Sequence, residues 1–172
     1  DFLLANSTYS KEEILKYYQR DSKVIFPPVE TGNFKFCEKK QDYYVTTSRQ
    51  VNWKKLDLAV EAFIKNGKRL ILVGSGAEHQ KLKSLAKNSH NIEFIQRINS
   101  SKGLSKIVGE AKGFIFPSLE PFGIAPIEAL ATGTPILAFN KGKIIFKMVK
   151  TVYFLMNNQL NQFWLLLRNS KK

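Results

Sequence analysis

The chain has 172 residues, a hydrophobic share of 44% and a net charge of +13, enough length to bury a core and too apolar a composition for disorder to be the default. Its single cysteine, Cys37, excludes an intrachain disulfide, and no apolar run reaches the roughly 18–20 residues that a bilayer span requires. The positive charge is uneven: residues 141–172 hold seven Lys or Arg and no acid, which leaves +6 on the first 140 residues.

In chain order, "STYSKEEILKYYQRD" offers Ser10 as an N-cap, Glu13 three residues on, and Ile14, Leu15 and Tyr18 on one face. That pattern predicts a helix of about ten residues. "KVIFPPVE" reads as a short strand stopped by Pro27-Pro28, and residues 27–42 as a linker. From Tyr43 strands and helices alternate. Strands are expected at 43–48, 69–76, 91–95, 113–118 and 134–139; helices at 55–66, 78–88, 100–111 and 126–133. Four repeats with short loops predict an α/β fold, a Rossmann-like, doubly wound parallel sheet. After Asn140 the period fails, and only a strand at 150–155 and a helix at 157–168 are expected. Three segments follow: 1–28, an attachment ending in the proline crossing; 29–142, the α/β domain; and 143–172, an atypical tail.

Ligands of an open parallel sheet sit beyond the carboxyl ends of its strands, and the unusual residues gather in those loops. Arg49 and Lys54, in "SRQVNWKK", are two cations able to clamp a diphosphate, although surface cations are more often merely solvated. "VGSGAE" supplies Gly74 and Gly76 but has His79 where a dinucleotide fingerprint would place its third glycine. The turn either lets backbone approach a ligand or tightens a strand–helix corner. His79 and His90 read as surface residues. No His–Cys or Ser–His–Asp constellation stands out, so nucleophilic and metal catalysis are not expected. The moderate basic bias suits phosphates or an anionic membrane surface. Without an RNA-recognition signature, zinc-finger spacing or aromatics interleaved with Arg, nucleic acid is not an expected partner.

"FIFPSLEPFGIAPIEALATGTPILAF" sets Glu120 and Glu128 eight positions apart across Pro121, Gly123 and Pro126. The breakers argue against one helix. They predict a loop through Gly123 and a helix starting near Pro126, a favoured first helical residue. Glu120 then lies in the loop and Glu128 in the first helical turn, where acidic residues are common for dipole reasons alone. The amides of Phe122, Gly123 and Ile124 and the positive end of that helix would face the same crevice. Carboxylate acceptors for hydroxyls beside amide donors for anions suit a sugar nucleotide.

Taken together, "SRQVNWKKLDLAVEAF", "LILVGSGAEHQKLKSLA", "NIEFIQRI" and "AKGFIFPSLEPFGIAPIEALATGTPILAFNKG" resemble the C-terminal half of family-4 glycosyltransferases of GT-B architecture. The nearest likeness is to bacterial mannosyltransferases of O-antigen or capsule assembly. The Glu-x7-Glu pattern in order with Arg49, Lys54, Gly74 and Gly76 carries the resemblance. It implies transfer of a hexose from a nucleoside-diphosphate sugar, GDP-mannose being favoured, with retention of configuration and without a metal or other cofactor. By the same resemblance, Arg49 and Lys54 would neutralise the diphosphate, Glu120 would hold sugar hydroxyls and Glu128 ribose hydroxyls. Phe122, Gly123 and Ile124 would meet sugar or phosphate, and the loop with Arg97 and Ile98 would lie against the base.

The resemblance further implies that residues 1–28 end an N-terminal domain, and that the glycan or lipid-linked acceptor belongs to the part of that domain missing here. This chain by itself is then expected to be inactive, at best a donor-binding half, unless it is a truncated interaction module or gene remnant. An unrelated nucleotide-binding Rossmann domain is the third reading. The expected location is the cytoplasm, with the basic surface able to dock on the inner membrane face. After "AFNKG" the family continues with a second glycine and an acid; here Lys143 follows and no acid does, so the tail is expected to be degenerate or frame-shifted.

Overall fold

The computed structural model describes residues 2–139 and 152–155. The expected helix at 157–168 and most of the tail lie outside them. Near the N-terminus, strand β1 (Leu4–Ala5), helix α1 (Thr8–Tyr18) and strand β2 (Lys23–Val24) form a small unit whose two strands pair in parallel. Ser7, not Ser10, caps α1: its backbone is extended, and its side chain accepts from the Ser10 amide at 3.1 Å. The helix buries none of its residues, so Leu15, Tyr17 and Tyr18 keep exposed apolar surface. Pro27-Pro28 and a single 3-10 turn at Thr31–Asn33 then carry the chain to the main sheet.

That sheet comprises β3 (Gln41–Thr47), β4 (Leu70–Val73), β5 (Ile92–Ile95), β6 (Ala111–Phe116), β7 (Ile136–Phe139) and β8 (Val152–Leu155). Their spatial order is β5-β4-β3-β6-β7-β8, and every pairing is parallel. Among the described residues, four helices connect β3 through β7: α2 (Leu56–Asn66), α3 (His79–Leu85), α4 (Ser101–Gly109) and α5 (Ile124–Ala131). Parallel strands need such crossovers, and the continuous apolar runs of β3, β4 and β6 fit a sheet covered on both faces.

Alternation along each strand sorts two cores. Leu70, Leu72, Ile115 and Leu137 face Leu56, Val60 and Phe63 of α2 and Leu82 of α3. Val45, Ile71, Phe114 and Ile136 pack on the opposite side with Val108 of α4 and Ala129 of α5. Phe63 and Phe114 are fully buried, each contributing roughly 1.5–3 kcal/mol by removal from water. The expected doubly wound sheet is therefore the one observed, with each expected strand displaced by a few residues at most.

Candidate functional site

The strand order reverses between β3 and β6. After β3 the chain turns to α2 on one face, and after β6 to α5 on the other, so a crevice opens where the two loops part. Lys54 stands at the end of a 3-10 turn, Asn52–Lys54, in the first loop, and Glu120 in the second. Their side chains form an ion pair across the crevice, with only 14% and 15% of their surfaces exposed. Ser118 Oγ donates to the same Glu120 Oε1 at 2.8 Å, and the Lys54 ammonium lies 4.3 Å from the centre of the Trp53 ring. A carboxylate and an ammonium, 66 positions apart in sequence, are thus held at the switch point.

Beside the pair lies a cavity of about 340 Å³ lined by Thr47, Lys54, Phe116, Glu120 and the segment 121–125, with Asn6 and Pro27 from the N-terminal unit. Phe26 stacks on Phe122 at 6.1 Å between ring centres, so that unit is fastened to the site loop. Gly123 adopts φ 83, a left-handed conformation, and a Cβ there would come within 3.1 Å of the Phe116 ring. It precedes α5 as an N-cap without a side-chain cap. Among the described residues, the amides of Phe122, Gly123, Ile124 and Ala125 donate to no backbone carbonyl outside the helix. The helix thus offers its positive end and open donors to the cavity wall.

Two expectations about this segment are corrected. The helix begins at Ile124 rather than Pro126, because Gly123 makes the turn that the proline was expected to start. Glu128 consequently falls in the second turn, where a preference for the helix N-terminus does not explain it. Half-buried, its carboxyl is pushed above the usual range by loss of solvent. Glu128 does not line the cavity; it sits one turn beyond Ile124 on the same side of α5.

The other expected residues lie along the same carboxyl edge, towards β4 and β5. Arg49 is exposed and has no ion pair among the described residues. Gly74 and Gly76 are pressed against backbone: a Cβ would meet Ser48 O at 2.0 Å and Gln50 O at 2.4 Å. Those glycines join two loops of the chain closely. Arg97 is exposed, whereas the Ile98 side chain turns inward to the α4–α5 core, so only its backbone is free to face a ligand. His79, expected on the surface, is buried against Gln50 because α3 tucks its first turn under the neighbouring loop. No local pattern marks Thr47, Gln50, Ser118 or the N-terminal Asn6 as site residues, and Pro27 is marked in the sequence only as a strand stop and crossing. Among the described residues, no group of three or more His, Cys, Asp or Glu is placed to hold a metal ion, and no helix is long and apolar enough to cross a membrane.

Residues 30–156 match the family described as Glycosyl transferases group 1, well over half of the chain. The chain belongs to that family. The reading as an unrelated nucleotide-binding Rossmann domain is thereby set aside, and the α/β sheet matches the Rossmann-like domains of GT-B glycosyltransferases. The chain is 26% identical over 196 residues to the alpha-1,3/1,6-mannosyltransferase ALG2 of Candida glabrata, covering 83% of this chain and 43% of that protein. It is 27% identical over 141 residues to the O-antigen chain mannosyltransferase RfbU of Salmonella typhimurium, covering 74% and 38% respectively. In fold it resembles HepE of Anabaena, solved in complex with UDP, with a TM-score of 0.81 at 17% identity over 97% of this chain and 53% of that one. The chain spans less than half the length of the two curated relatives.

Proposed function

We propose that this chain is the donor-binding, C-terminal half of a retaining family-4 hexosyltransferase that takes its sugar from a nucleoside diphosphate, GDP-mannose being the favoured donor. The single observation that carries the reading is the Lys54–Glu120 pair set over a cavity at the switch point of the sheet. The mannosyltransferase relatives and the UDP bound by HepE support it. Synthesis of bacterial surface polysaccharide follows from the likeness to RfbU.

On this reading the donor diphosphate competes with Glu120 for the Lys54 ammonium, and the released carboxylate accepts from sugar hydroxyls. Arg49 and the amides at the start of α5 add fixed positive charge where the leaving diphosphate gains negative charge, the main lever such a site has. Glu128 takes ribose hydroxyls. The reading calls for no metal. The glycan or lipid-linked acceptor belongs to the wall that a preceding domain would supply; the exposed apolar residues of α1 support such a neighbour. The isolated chain is therefore inactive, and its setting is the cytoplasm, at or near the inner membrane face.

Calorimetric titration with GDP, UDP and ADP tests this. Binding that weakens about tenfold in Arg49→Ala, the loss of one charge-assisted contact, supports the proposal. No binding of any of the three leaves a non-catalytic interaction module or gene remnant. Glycosyl transfer by the isolated chain would overturn the half-site.

A further inference from the structure

Three loops at the carboxyl edge of the sheet, after β3, β4 and β5, meet on one buried imidazole. Gln50, fully buried, is held by four bonds to the second of these loops and the start of α3. Its amide donates to Ser75 O at 2.9 Å and its carbonyl accepts from the Glu78 amide at 2.8 Å. Gln50 Nε2 donates to Gly74 O at 2.7 Å, and Gln50 Oε1 lies 2.6 Å from His79 Nδ1.

The chemistry fixes the tautomer. With Nε2 committed to a carbonyl, Gln50 presents its oxygen to the ring, so His79 Nδ1 carries the proton and donates it. The proton on Nδ1 leaves His79 Nε2 to face Gln96, whose Nε2 stands 3.4 Å away. Phe94, on β5, meets the ring edge-on at 5.8 Å. Arg49 directly precedes the buried Gln50 and Arg97 directly follows Gln96, which is itself exposed and reaches inward to the ring; both arginines are exposed.

We infer that Gln50 and His79 are positioning residues for the donor: the buried Gln50–His79 pair, with Gln96, fixes the loops that present Arg49 and Arg97 at the sheet edge. Such a pair touches no ligand and acts through its neighbours. A long flexible arginine gains from a rigid base, because the entropy of placing its guanidinium is met before the ligand arrives. The inference rests on the donor-binding reading given above.

The test is titration of the 172-residue chain with UDP and GDP, beside thermal unfolding and circular dichroism of each variant. His79→Leu and Gln50→Leu are each expected to weaken binding about tenfold, the scale of one buried hydrogen bond. His79→Asn, whose amide N–H falls near the Nδ1 position, is expected to stay within about twofold of the parent, and His79→Gln, which mimics Nε2 instead, to lose affinity. In an Arg49→Ala, Arg97→Ala background His79→Leu should cost less than about twofold, since both groups it positions are gone.

A full, additive loss in that background overturns the inference, as does unchanged affinity in a folded His79→Leu chain. If the leucine variant does not fold, equal affinities for His79→Asn and His79→Gln overturn it. A parent chain that binds neither nucleotide overturns the donor reading and this inference together, an outcome seen before any variant is made.

Discussion

Replacing Gly74 by alanine probes how tightly the site loops are joined. The glycine has φ 134, and a Cβ built on it would lie 2.0 Å from Ser48 O and 3.0 Å from Ser48 C. Both are backbone atoms next to Arg49, so no side-chain rotation relieves the overlap. The positive φ alone costs about 1–2 kcal/mol for an alanine, and overpacking adds roughly 1–3 kcal/mol. Taking about 3 kcal/mol in total, a chain of this length should lose roughly 6–12 °C in Tm. Relief also requires Ser48 O to retreat by about 1 Å, carrying Arg49 with it and reducing UDP or GDP affinity tenfold or more on the order expected for such a displacement. Gly32→Ala is the control, because Gly32 has nothing within 4 Å of a built Cβ. Differential scanning calorimetry and nucleotide titration of both variants give the answer. If Gly74→Ala matches Gly32→Ala in Tm and affinity, the loops are not joined as described.

Other expected outcomes concern single groups. Removing Glu120 as alanine strands a Lys54 ammonium that is mostly shielded from water, costing about 1–2 kcal/mol without nucleotide; added UDP should then raise Tm more than it does in the parent, and an equal rise would count against competition for Lys54. Burial raises the Glu128 carboxyl, so its folded state favours the protonated form: its contribution is fully present below the ordinary value near 4.5 and is lost as pH rises through the raised value. Glu128→Gln should therefore raise Tm at pH 7, and the gain should vanish below about pH 4. The Tyr43 phenol, pushed up to about 12 chiefly by burial and then by Glu110, donates to Ile107 O at 2.7 Å. Tyr43→Phe should cost about 1 kcal/mol at neutral pH, with the gap closing from pH 10 upward as ionisation of the phenol becomes easier in the unfolded chain; denaturant titrations at pH 7 and pH 11 measure it.

Much of this was legible in the sequence because it depends on neighbours along the chain. Short apolar and β-branched runs such as "YYVTT" and "LILV", each followed by a helical spacing, dictate alternate strands and helices, and parallel pairing follows from the crossovers. Pro121 and Gly123 likewise keep Glu120 and Glu128 off a common helix, while Pro126 is accommodated in the first turn of α5. Even the helix starts missed by two or three residues differ only because Ser7 and Gly123 compete successfully with nearby candidates.

What only the tertiary structure decided is which distant residues meet. Lys54 reads in the sequence as a diphosphate clamp or a solvated cation, with no hint of its partner, until the reversal of strand order sets β3 beside β6 and closes its ion pair with Glu120. His79 reads as a surface residue in a charged stretch until α3 folds under Gln50 and buries it. Gly74 and Gly76 read equally well as ligand cradle or corner until Ser48 and Gln50 arrive against them. Local periodicity reports which side of an element is apolar. It carries no record of which loop lies opposite, because that is set by sheet order and crossover side, and these depend on packing across the whole domain.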